Sequence, residues 1–566
     1  MKTKLLCSIL FLLCISILHA QLQPALTWAT HIGGSSAVYS DWAHSNAVDA
    51  AGNVYTAGRF NATCDFDPGP GFDTITAVGE DDIFISKQDA SGNLVWVKTM
   101  GSSGFDNAFS LTIDASAIYV TGQFTGSFDA DPGPGTTTIM SAGGYDVFVF
   151  KMDMSGNLIW ARSLGGLGTD VANDVAVDAL GNVYTTGWFQ GTADFNPSPL
   201  PTDTAKLTGA GWDDVFVSKL NSSGNYVWAK RMGGTESDAG YSIAVDGAGN
   251  VYSVGTFLST VDFDPGPGVS LLSTAGTSDE DTYISKLDAS GNLVWAEQLG
   301  GNGDQQVLDM TVDATGNIYF CGGYYGYMTD FDPTPGSYTV TSSGMMDIFV
   351  VKYTSAGALT WVKTIGGTGY SYALSVAVDA SGNVYTTGYY ENTMDFDTGA
   401  GTFNQTAVGG YDVYFNKFDS SGNYVWAATI GSAGTDEGSS IFIGPAGNIY
   451  ISGLFRNATD FDPSAGIFNL TPFGIGDSFT AKYMEVAAGV PEKYENDIAV
   501  FSSGHSISIR SKDQYIVEGV FNVLGAAVPS AVVNNSINMN DQASGIYFVR
   551  IKVDGQTFTK KVFIGA

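Results

Sequence analysis

The sequence predicts an all-β protein: a seven-bladed β-propeller with four strands per blade, followed by a small C-terminal Ig-like β-sandwich. Three observations support this architecture. A unit of 64 to 68 residues recurs seven times along the chain. The seventh unit lacks its last strand, and a matching strand stands before the first unit. All markers of the repeat end near Tyr483.

Each unit carries one tryptophan, one tyrosine and one lysine at fixed places. A tryptophan that recurs in every unit is expected to pack between neighbouring sheets, where its large area stabilises the ring. The lysine is expected either to cover this tryptophan or to pair with a loop carboxylate. The tryptophans of the series are Trp28, Trp96, Trp160, Trp228, Trp295, Trp361 and Trp426.

One unit, residues 366–432, illustrates the predicted blade. SVAVDASGNVYTTGYY contains two alternating runs joined by a Gly-containing turn, which is typical of a β-hairpin. An acidic Pro/Gly loop follows, and then YDVYFNKFD, SSGN and YVWAATIG supply a strand, a turn and a strand. In the seventh unit the chain reaches Lys482 without a final tryptophan strand. The strand around Leu26–Ile32 is therefore expected to complete that blade and close the ring.

Composition excludes several classes of protein. The 24 Lys and Arg against 57 Asp and Glu give a formal net charge of −33, which argues against nucleic acid as a partner. Only His31 and His44 lie in the body of the chain, so a histidine-based zinc site is not expected. Cys64 and Cys321 are the cysteines outside the leader, which excludes a disulfide scaffold.

The chain ends define the predicted domain organisation. Residues 1–20 have the charged start, apolar run and terminal alanine of a signal peptide. The propeller is expected over 21–484, a linker over 485–497 and a separate domain over 498–566. No later apolar run is long enough for a membrane span.

Two resemblances extend this prediction. The strings DASGNVY and SKLDASGNLVWAK resemble SBBP-type β-propeller repeats, which is specific for fold and weak for function. VEGVFNVLGAAV (517–528), SGIYFVRI (544–551) and TKKVFI (559–564) resemble the C-terminal sorting domain of the type IX secretion pathway of Bacteroidota. That resemblance implies the type IX machinery as a partner and a secreted or cell-surface protein. The residues it assigns to the sorting signal are Gly525, Gly545, Tyr547, Lys560 and Lys561.

The acidic loops are the main candidate site. In each, Asp-x-Asp places two carboxylates on one side of an extended segment, and calcium prefers such oxygen ligands. The alternative is a rigid Pro/Gly turn with solvated carboxylates. Calcium is thus the one candidate cofactor. The candidate ligands are Asp65, Asp67, Asp129, Asp131, Asp194, Asp262, Asp264, Asp330, Asp332, Asp395, Asp397, Asp460 and Asp462, with Asn196 in place of the second Asp of the third loop.

No enzymatic motif is present, and no catalytic residue is assigned. A catalytic carboxylate pair should break the symmetry of the repeat, and no unit shows an obvious break. The modest departures are aromatic: Trp42, Trp188, Trp212, and Tyr324, Tyr325 and Tyr327 of the fifth unit, which are expected to pack between blades or to hold a sugar.

The sequence therefore favours a secreted or surface-attached propeller that binds a glycan or a protein and is not an enzyme. One alternative is a structural or adhesive surface protein whose acidic loops are stiffened by calcium. The other is a polysaccharide-active enzyme that uses Asp or Glu side chains.

Overall fold

The computed structural model describes residues 22–564 except 35, 37–39, 70, 199, 201, 275–278, 334–336, 465, 488–497 and short segments of the C-terminal part. The latter segments are 504–505, 512–514, 523–526, 529–531, 534–535, 540–541, 543–544 and 554–555. Contacts divide the chain into one unit from Pro24 to Glu485 and a second that includes Val486–Ala566. The predicted signal peptide 1–20 and residues 488–497 of the predicted linker lie outside the described residues.

The larger unit is the predicted seven-bladed propeller, built from antiparallel four-stranded sheets. In each blade a short hairpin, formed by the acidic loop, stands between the second and third strands. The chain begins with β1 (Leu22–Gly34). Blade 1 contains β2 (Trp42–Val48), β3 (Val54–Phe60), β4 (Thr63–Asp65), β5 (Thr74–Thr76), β6 (Asp82–Gln88) and β7 (Leu94–Met100). Blade 2 contains β8 (Asn107–Ile113), β9 (Ala117–Phe124), β10 (Ser127–Asp129), β11 (Thr138–Met140), β12 (Asp146–Asp153) and β13 (Leu158–Gly166).

The next three blades repeat this order. Blade 3 contains β14 (Asp170–Val177), β15 (Val183–Phe189), β16 (Thr192–Asp194), β17 (Lys206–Thr208), β18 (Asp214–Leu220) and β19 (Tyr226–Met232). Blade 4 contains β20 (Ala239–Val245), β21 (Val251–Phe257), β22 (Thr260–Asp262), β23 (Leu271–Ser273), β24 (Asp281–Leu287) and β25 (Leu293–Asn302). Blade 5 contains β26 (Gln305–Val312), β27 (Ile318–Tyr324), β28 (Tyr327–Asp330), β29 (Thr339–Val340), β30 (Asp347–Tyr353) and β31 (Leu359–Ile365).

The last two blades complete the ring. Blade 6 contains β32 (Ser371–Val378), β33 (Val384–Tyr390), β34 (Thr393–Asp395), β35 (Asn404–Thr406), β36 (Asp412–Phe418) and β37 (Tyr424–Ile430). Blade 7 contains β38 (Glu437–Ile443), a 3₁₀ turn (Pro445–Gly447), β39 (Ile449–Phe455), β40 (Thr459–Asp460), β41 (Asn469–Leu470) and β42 (Asp477–Ala487).

Ring closure by the N-terminal strand is confirmed. β1 lies beside β42 as the fourth strand of blade 7, so the first and last parts of the propeller share one sheet. The Ser478 hydroxyl donates to the Ile32 carbonyl at 3.1 Å, and the Thr30 hydroxyl donates to the Thr480 carbonyl at 3.3 Å. β42 runs on to Ala487, past the predicted propeller boundary at 484, and Glu485 on it contacts blade 6.

A row of three side chains crosses every blade. In blade 1, Lys87 pairs with Tyr55 on one neighbouring strand and with Trp96 on the other. The lysine ammonium lies over the tyrosine ring in all seven blades, at 4.8 to 5.3 Å from its centre. From the sequence, the lysine was expected to cover the tryptophan or to pair with a loop carboxylate, and this cation–π contact with the tyrosine was not anticipated.

The C-terminal unit consists of two four-stranded sheets. Their order is β43-β44-β48-β47 and β46-β45-β49-β50. Ile507, Val520 and Val549, from both sheets, are buried in one hydrophobic cluster, and the Ig-like assignment stays a prediction. The strands are β43 (Ile498–Ser503), β44 (Ser506–Ser511), β45 (Tyr515–Asn522), β46 (Ala527–Val528), β47 (Val532–Val533), β48 (Ser536–Asn538), β49 (Gly545–Val553) and β50 (Gln556–Ile564).

Candidate functional site

The first strands of the seven blades form the wall of a central channel. Each stands at the edge of its sheet and contacts the first strand of the next blade, and blade 7 contacts blade 1. Every first strand has a β-bulge at the same place, which shifts its register near the middle. Bulges of this kind re-aim a side chain, and here the residue that follows faces the next blade.

That residue is a serine in five blades and an aspartate in two. In each case its side chain accepts a hydrogen bond from a backbone amide of the next blade, so that seven such bonds close a circle. For example, the Ile243 amide donates to Asp174 at 2.8 Å, and the Ile441 amide donates to Ser375 at 3.2 Å. We call this set the serine–aspartate ring. It consists of Ser45, Ser110, Asp174, Ser242, Asp309, Ser375 and Ser440.

Asp174 and Asp309 break the symmetry of the repeat, contrary to the sequence analysis, which found no obvious break. The Ser242 hydroxyl lies between them, 2.8 Å from Asp174 Oδ2 and 3.2 Å from Asp309 Oδ1. Burial and the neighbouring Asp174 charge raise the pKa of Asp309 to about 7, and burial raises that of Asp174. Asp174 and Asp309 each lie four residues before the aspartate of the VDA-type turn. A comparison of this position in the seven units would have revealed both aspartates.

The serine–aspartate ring borders a cavity of about 130 Å³ on the channel axis. The bulge residues form a second collar on this cavity, with Phe109, Tyr241, Leu308 and Leu374 among them. The collar also includes His44, whose pKa burial lowers to about 3, so its imidazole is neutral at physiological pH. Among the described lining residues there is no lysine or arginine, so the two carboxylates face the cavity without a basic partner.

One end of the channel carries the side chains that differ between blades. We call it the channel mouth, and it is the end at which the first strands begin and the acidic hairpins lie. Three positions in each blade define the channel mouth. The first lies three residues before the member of the serine–aspartate ring, the second pairs with the first on the neighbouring second strand, and the third directly precedes the third strand. In blade order they are Trp42–Arg59–Asp81, Asn107–Gln123–Tyr145, Val171–Trp188–Asp213, Ala239–Thr256–Glu280, Gln306–Gly323–Met346, Tyr372–Tyr389–Tyr411 and Glu437–Leu454–Gly476.

No two of these triples are alike, although the residues beside them repeat. Immediately after the third position, an aspartate begins the third strand of all seven blades. These aspartates are buried, and six of them accept amides of the preceding loop, as Asp412 accepts from Val408 at 2.9 Å. Residues 275–278, before Asp281, lie outside the described residues. The propeller scaffold is therefore repeated, while the channel mouth is specific to each blade.

Blade 6 supplies three tyrosines to the channel mouth. The Tyr372 and Tyr389 rings are 5.5 Å apart, and the Tyr389 and Tyr411 rings are 4.6 Å apart. Burial and the nearby charges of Glu391 and Glu437 raise the pKa of Tyr411. All three tyrosines are half-buried, which leaves part of each ring accessible.

The opposite end of the propeller is built from repeated turns. Asp379 Oδ1 accepts the amides of Ser381 and Asn383, while Oδ2 accepts the Asn383 side chain and the Tyr385 hydroxyl. Asp49, Asp178, Asp246 and Asp313 make the same set of contacts. These aspartates are turn formers, as the VDA pattern indicates.

The acidic loops are closed by their own carboxylates. Asp65 Oδ1 accepts the amides of Asp67 and Asp73 at 3.1 and 2.9 Å, and Asp67 Oδ1 accepts the Gly69 amide at 2.8 Å. A Cβ on Gly71 would stand 2.2 Å from Asp67 Oδ2, so a larger residue there would displace this carboxylate. The first aspartate does the same in the other loops: Asp129, Asp194, Asp262, Asp330, Asp395 and Asp460.

The second position of the loop forms a tight turn in most blades. The side chains of Asp131, Asn196, Asp264, Asp397 and Asp462 each accept the amide two residues on. Among the described residues, no group of three or more His, Cys, Asp or Glu is arranged to hold a metal ion. Calcium binding by the loops stays a prediction.

The tryptophans of the repeat join neighbouring blades. The Trp160 indole N–H donates to the Ser222 carbonyl of the next blade at 3.2 Å, and Trp228 donates to Ala289 at the same distance. Of the additional aromatic residues, Tyr324 is buried against Phe331. Trp42 and Trp188 lie at the channel mouth, whereas Trp212, Tyr325 and Tyr327 are exposed.

The predicted sorting residues lie in the second unit. Gly545 and Tyr547 are on β49, where Tyr547 is buried, and Lys560 and Lys561 are on β50 opposite Val549 and Phe548. Gly525 lies outside the described residues. In the described part of the chain, no helix is long and apolar enough to cross a membrane.

Comparison with known families assigns both parts of the chain. Residues 159–191 and 227–256 match the β-propeller repeat called SBBP, and residues 503–565 match the secretion system C-terminal sorting domain. Both resemblances seen in the sequence are thereby confirmed. The sorting domain marks the protein as secreted or attached to the outer cell surface.

Two curated proteins are similar over most of the chain. An uncharacterized WD repeat-containing protein of Acanthamoeba polyphaga mimivirus is 25% identical over 76% of this chain and 36% of its own length. The regulatory protein FlaEY of Caulobacter vibrioides is 24% identical over 72% of this chain and 43% of its own length. The chain thus spans less than half the length of either relative.

A structural comparison adds Sqt1 from Chaetomium thermophilum. Its solved structure matches with a TM-score of 0.35 and 12% identity, over 86% of this chain and 97% of that one. The fold assignment rests on the strand pairing described above.

Proposed function

We propose that this chain, which carries β-propeller repeats and a secretion system sorting domain, is an extracellular binding module that holds a glycan or a protein without catalysing a reaction. The observation that supports the proposal is the divergence of the channel mouth. Eight of the 21 positions are buried, among them Val171 and Leu454, and they take part in packing. The accessible positions, such as Tyr372, Tyr389 and Glu437, differ between blades although the scaffold residues around them are alike. Recognition of an asymmetric ligand requires such differences.

The non-enzymatic part of the proposal rests on chemistry. Asp174 and Asp309 are the carboxylates that break the symmetry of the serine–aspartate ring, and both accept hydrogen bonds from serines and from amides of the next blade. A general acid or nucleophile must be able to approach substrate. Carboxylates engaged in this way have a structural and electrostatic role instead.

The test compares variants at the two ends of the channel. The full-length chain, Tyr389→Ala and Glu437→Gln would be applied to an array of purified glycans and extracellular proteins. The matched control is Asn250→Ala, in a turn of the opposite end. We expect the two channel-mouth variants to lose the binding that the unmodified chain and the control retain. Equal binding by all four proteins, or loss of binding only in Asn250→Ala, would contradict the proposal that the ligand binds at the channel mouth.

A further inference from the structure

We infer that the channel mouth takes a cationic side chain, a lysine or arginine of an extracellular polypeptide, which contacts the blade 6 tyrosines while its charge is attracted by the channel carboxylates. This inference rests on the proposed function and specifies its ligand. Three sets of observations support it: the aromatic surface, the charges around it and the cavity beneath it.

The aromatic surface is suited to a cation. Tyr372, Tyr389 and Tyr411 form a continuous patch, with successive rings 5.5 and 4.6 Å apart. The face of an aromatic ring attracts an ammonium or guanidinium group, and the attraction grows when the site is partly desolvated. This protein uses the same contact internally in every blade, where a lysine lies over a tyrosine.

The charges around this patch are mainly negative. Glu437 and Glu391 lie close enough to Tyr411 to raise the pKa of its hydroxyl after burial, and Asp304 and Glu280 act on Tyr372 in the same way. Arg456 offsets part of the charge of Glu437. Arg59, which belongs to the channel mouth, is bound to Asp81 at 2.8 Å. A cationic ligand is therefore favoured over an anionic one.

The cavity below adds two carboxyl groups, and because the pKa of Asp309 is raised to about 7, the full negative field develops above that pH. Tyr372 stands two residues before Leu374, which lines the cavity, and Asp309 and Asp174 lie in the ring at its wall. A field of this kind, confined by low-dielectric walls, concentrates cations at the entrance.

A neutral glycan fits these features less well. A carboxylate can accept sugar hydroxyls, but Asp174 and Asp309 already accept hydrogen bonds from serines and backbone amides. A cation can be attracted by their charge without replacing those hydrogen bonds. Five of the seven ring residues are serine, so the aspartates are not a requirement of the fold.

The first measurement uses the full-length chain and a fluorescein-labelled hexalysine peptide. The matched probes are the same peptide with every lysine acetylated and a neutral glucose hexasaccharide. We expect the hexalysine to bind and both neutral probes to bind at least about tenfold more weakly, because acetylation removes the charge. Equal binding of the acetylated peptide would overturn the inference, and so would absence of hexalysine binding.

The second measurement separates a site from general attraction to an acidic protein. Tyr389→Ala and the double variant Asp174→Ser with Asp309→Ser should each weaken hexalysine binding by about tenfold. The double variant introduces the serine that the other five blades carry, so the fold should be retained, which circular dichroism checks. Two controls should bind unchanged: Tyr327→Ala, a tyrosine exposed on the blade 5 hairpin, and Glu518→Gln, an exposed charge of the C-terminal unit.

The outcomes distinguish this inference from the proposed function. If all variants bind hexalysine equally, the peptide is held by overall charge, and the inference is wrong. If the hexasaccharide binds and the channel-mouth variants abolish its binding, the inference is wrong while the proposed function stands. If no probe binds but the array test finds a ligand that depends on Tyr389, the same conclusion holds.

Discussion

The carboxylate of Glu485 accepts hydrogen bonds from the Lys417 ammonium, at 2.8 and 2.9 Å to its two oxygens, and from the Trp426 indole N–H at 2.6 Å. In blades 2, 3 and 7 one backbone carbonyl of the next blade has this role: Ser222, for example, accepts from both Lys151 and Trp160. That carbonyl belongs to the turn between the third and fourth strands. Blade 7 has no such turn, because its fourth strand comes from the N-terminus, and a glutamate side chain replaces it.

Replacing this glutamate should weaken the propeller at the closure. In Glu485→Ala, the buried Lys417 ammonium and Trp426 N–H lose their acceptor, which should lower the free energy of unfolding by about 2 kcal/mol. Urea unfolding followed by tryptophan fluorescence measures the change. Glu518→Ala, at an exposed position of the C-terminal unit, should change the unfolding free energy by less than about 0.5 kcal/mol. A Glu485→Ala variant as stable as this control would contradict the prediction.

The turn aspartates should make the protein sensitive to acid. Although burial raises the pKa of Asp313, hydrogen bonds from Thr315 and Asn317 lower it to about 2, against an ordinary value of 3.8. The ionised form is thus favoured in the native state, and its contribution to stability is lost as the pH falls from 3.8 to about 2. In Asp313→Asn this loss is absent, so the stability difference between the two proteins should shrink over that window. A constant difference in urea unfolding at each pH would contradict this.

Asp309 should act in the opposite direction. Burial and the Asp174 charge raise its pKa to about 7, so the native state binds more protons than the unfolded state between 3.8 and about 7. Its contribution to stability therefore falls as the pH rises through this window. Asp309→Ser removes the effect, and we expect the variant to gain stability relative to the unmodified chain between pH values of about 4 and 8. A relative loss of stability over the same range would exclude this role.

Calcium binding by the acidic loops is tested by thermal unfolding of the full-length chain in EDTA and in millimolar calcium. An ion that binds only the native state stabilises it by about 2.7 kcal/mol per site at 100 times its dissociation constant. If the loops bind calcium, we therefore expect a clearly higher melting temperature in calcium than in EDTA. Asp67→Asn with Asp131→Asn should reduce the rise. Identical melting in both buffers would leave the loops as turns closed by Asp65 and its equivalents.

Export should depend on the C-terminal unit. Residues 503–565 match the sorting domain, so removal of 498–566 should keep the chain inside the cell envelope of a bacterium that has the type IX machinery. Fractionation with an antibody against the propeller measures the distribution. The double variant Lys560→Ala with Lys561→Ala tests the positions implied by the resemblance. Surface exposure of the truncated chain would contradict the assignment.

Much of the propeller was predictable because its signals are local and repeated. The spacing of Trp28 and Lys482 predicted that the first strand closes the last blade, and β1 does lie beside β42. The symmetry break at Asp174 and Asp309 was present in the sequence but was missed, because the sequence comparison followed the tryptophan, tyrosine, lysine and acidic-loop markers, and the ring position is none of these. The partner of the repeated lysine was also missed, since tyrosine and lysine come together only by strand register.

The sequence by itself determined the number of blades, the order of their strands and the way the ring closes, since hydrophobic alternation and turn residues act within one unit. Tertiary structure alone decided which side chains from different blades meet. Ser242 lies between Asp174 and Asp309, which are 68 and 67 residues away along the chain. Glu485 reaches Lys417 from 68 residues away. Such contacts depend on blade packing around a closed axis, and no local propensity encodes that geometry.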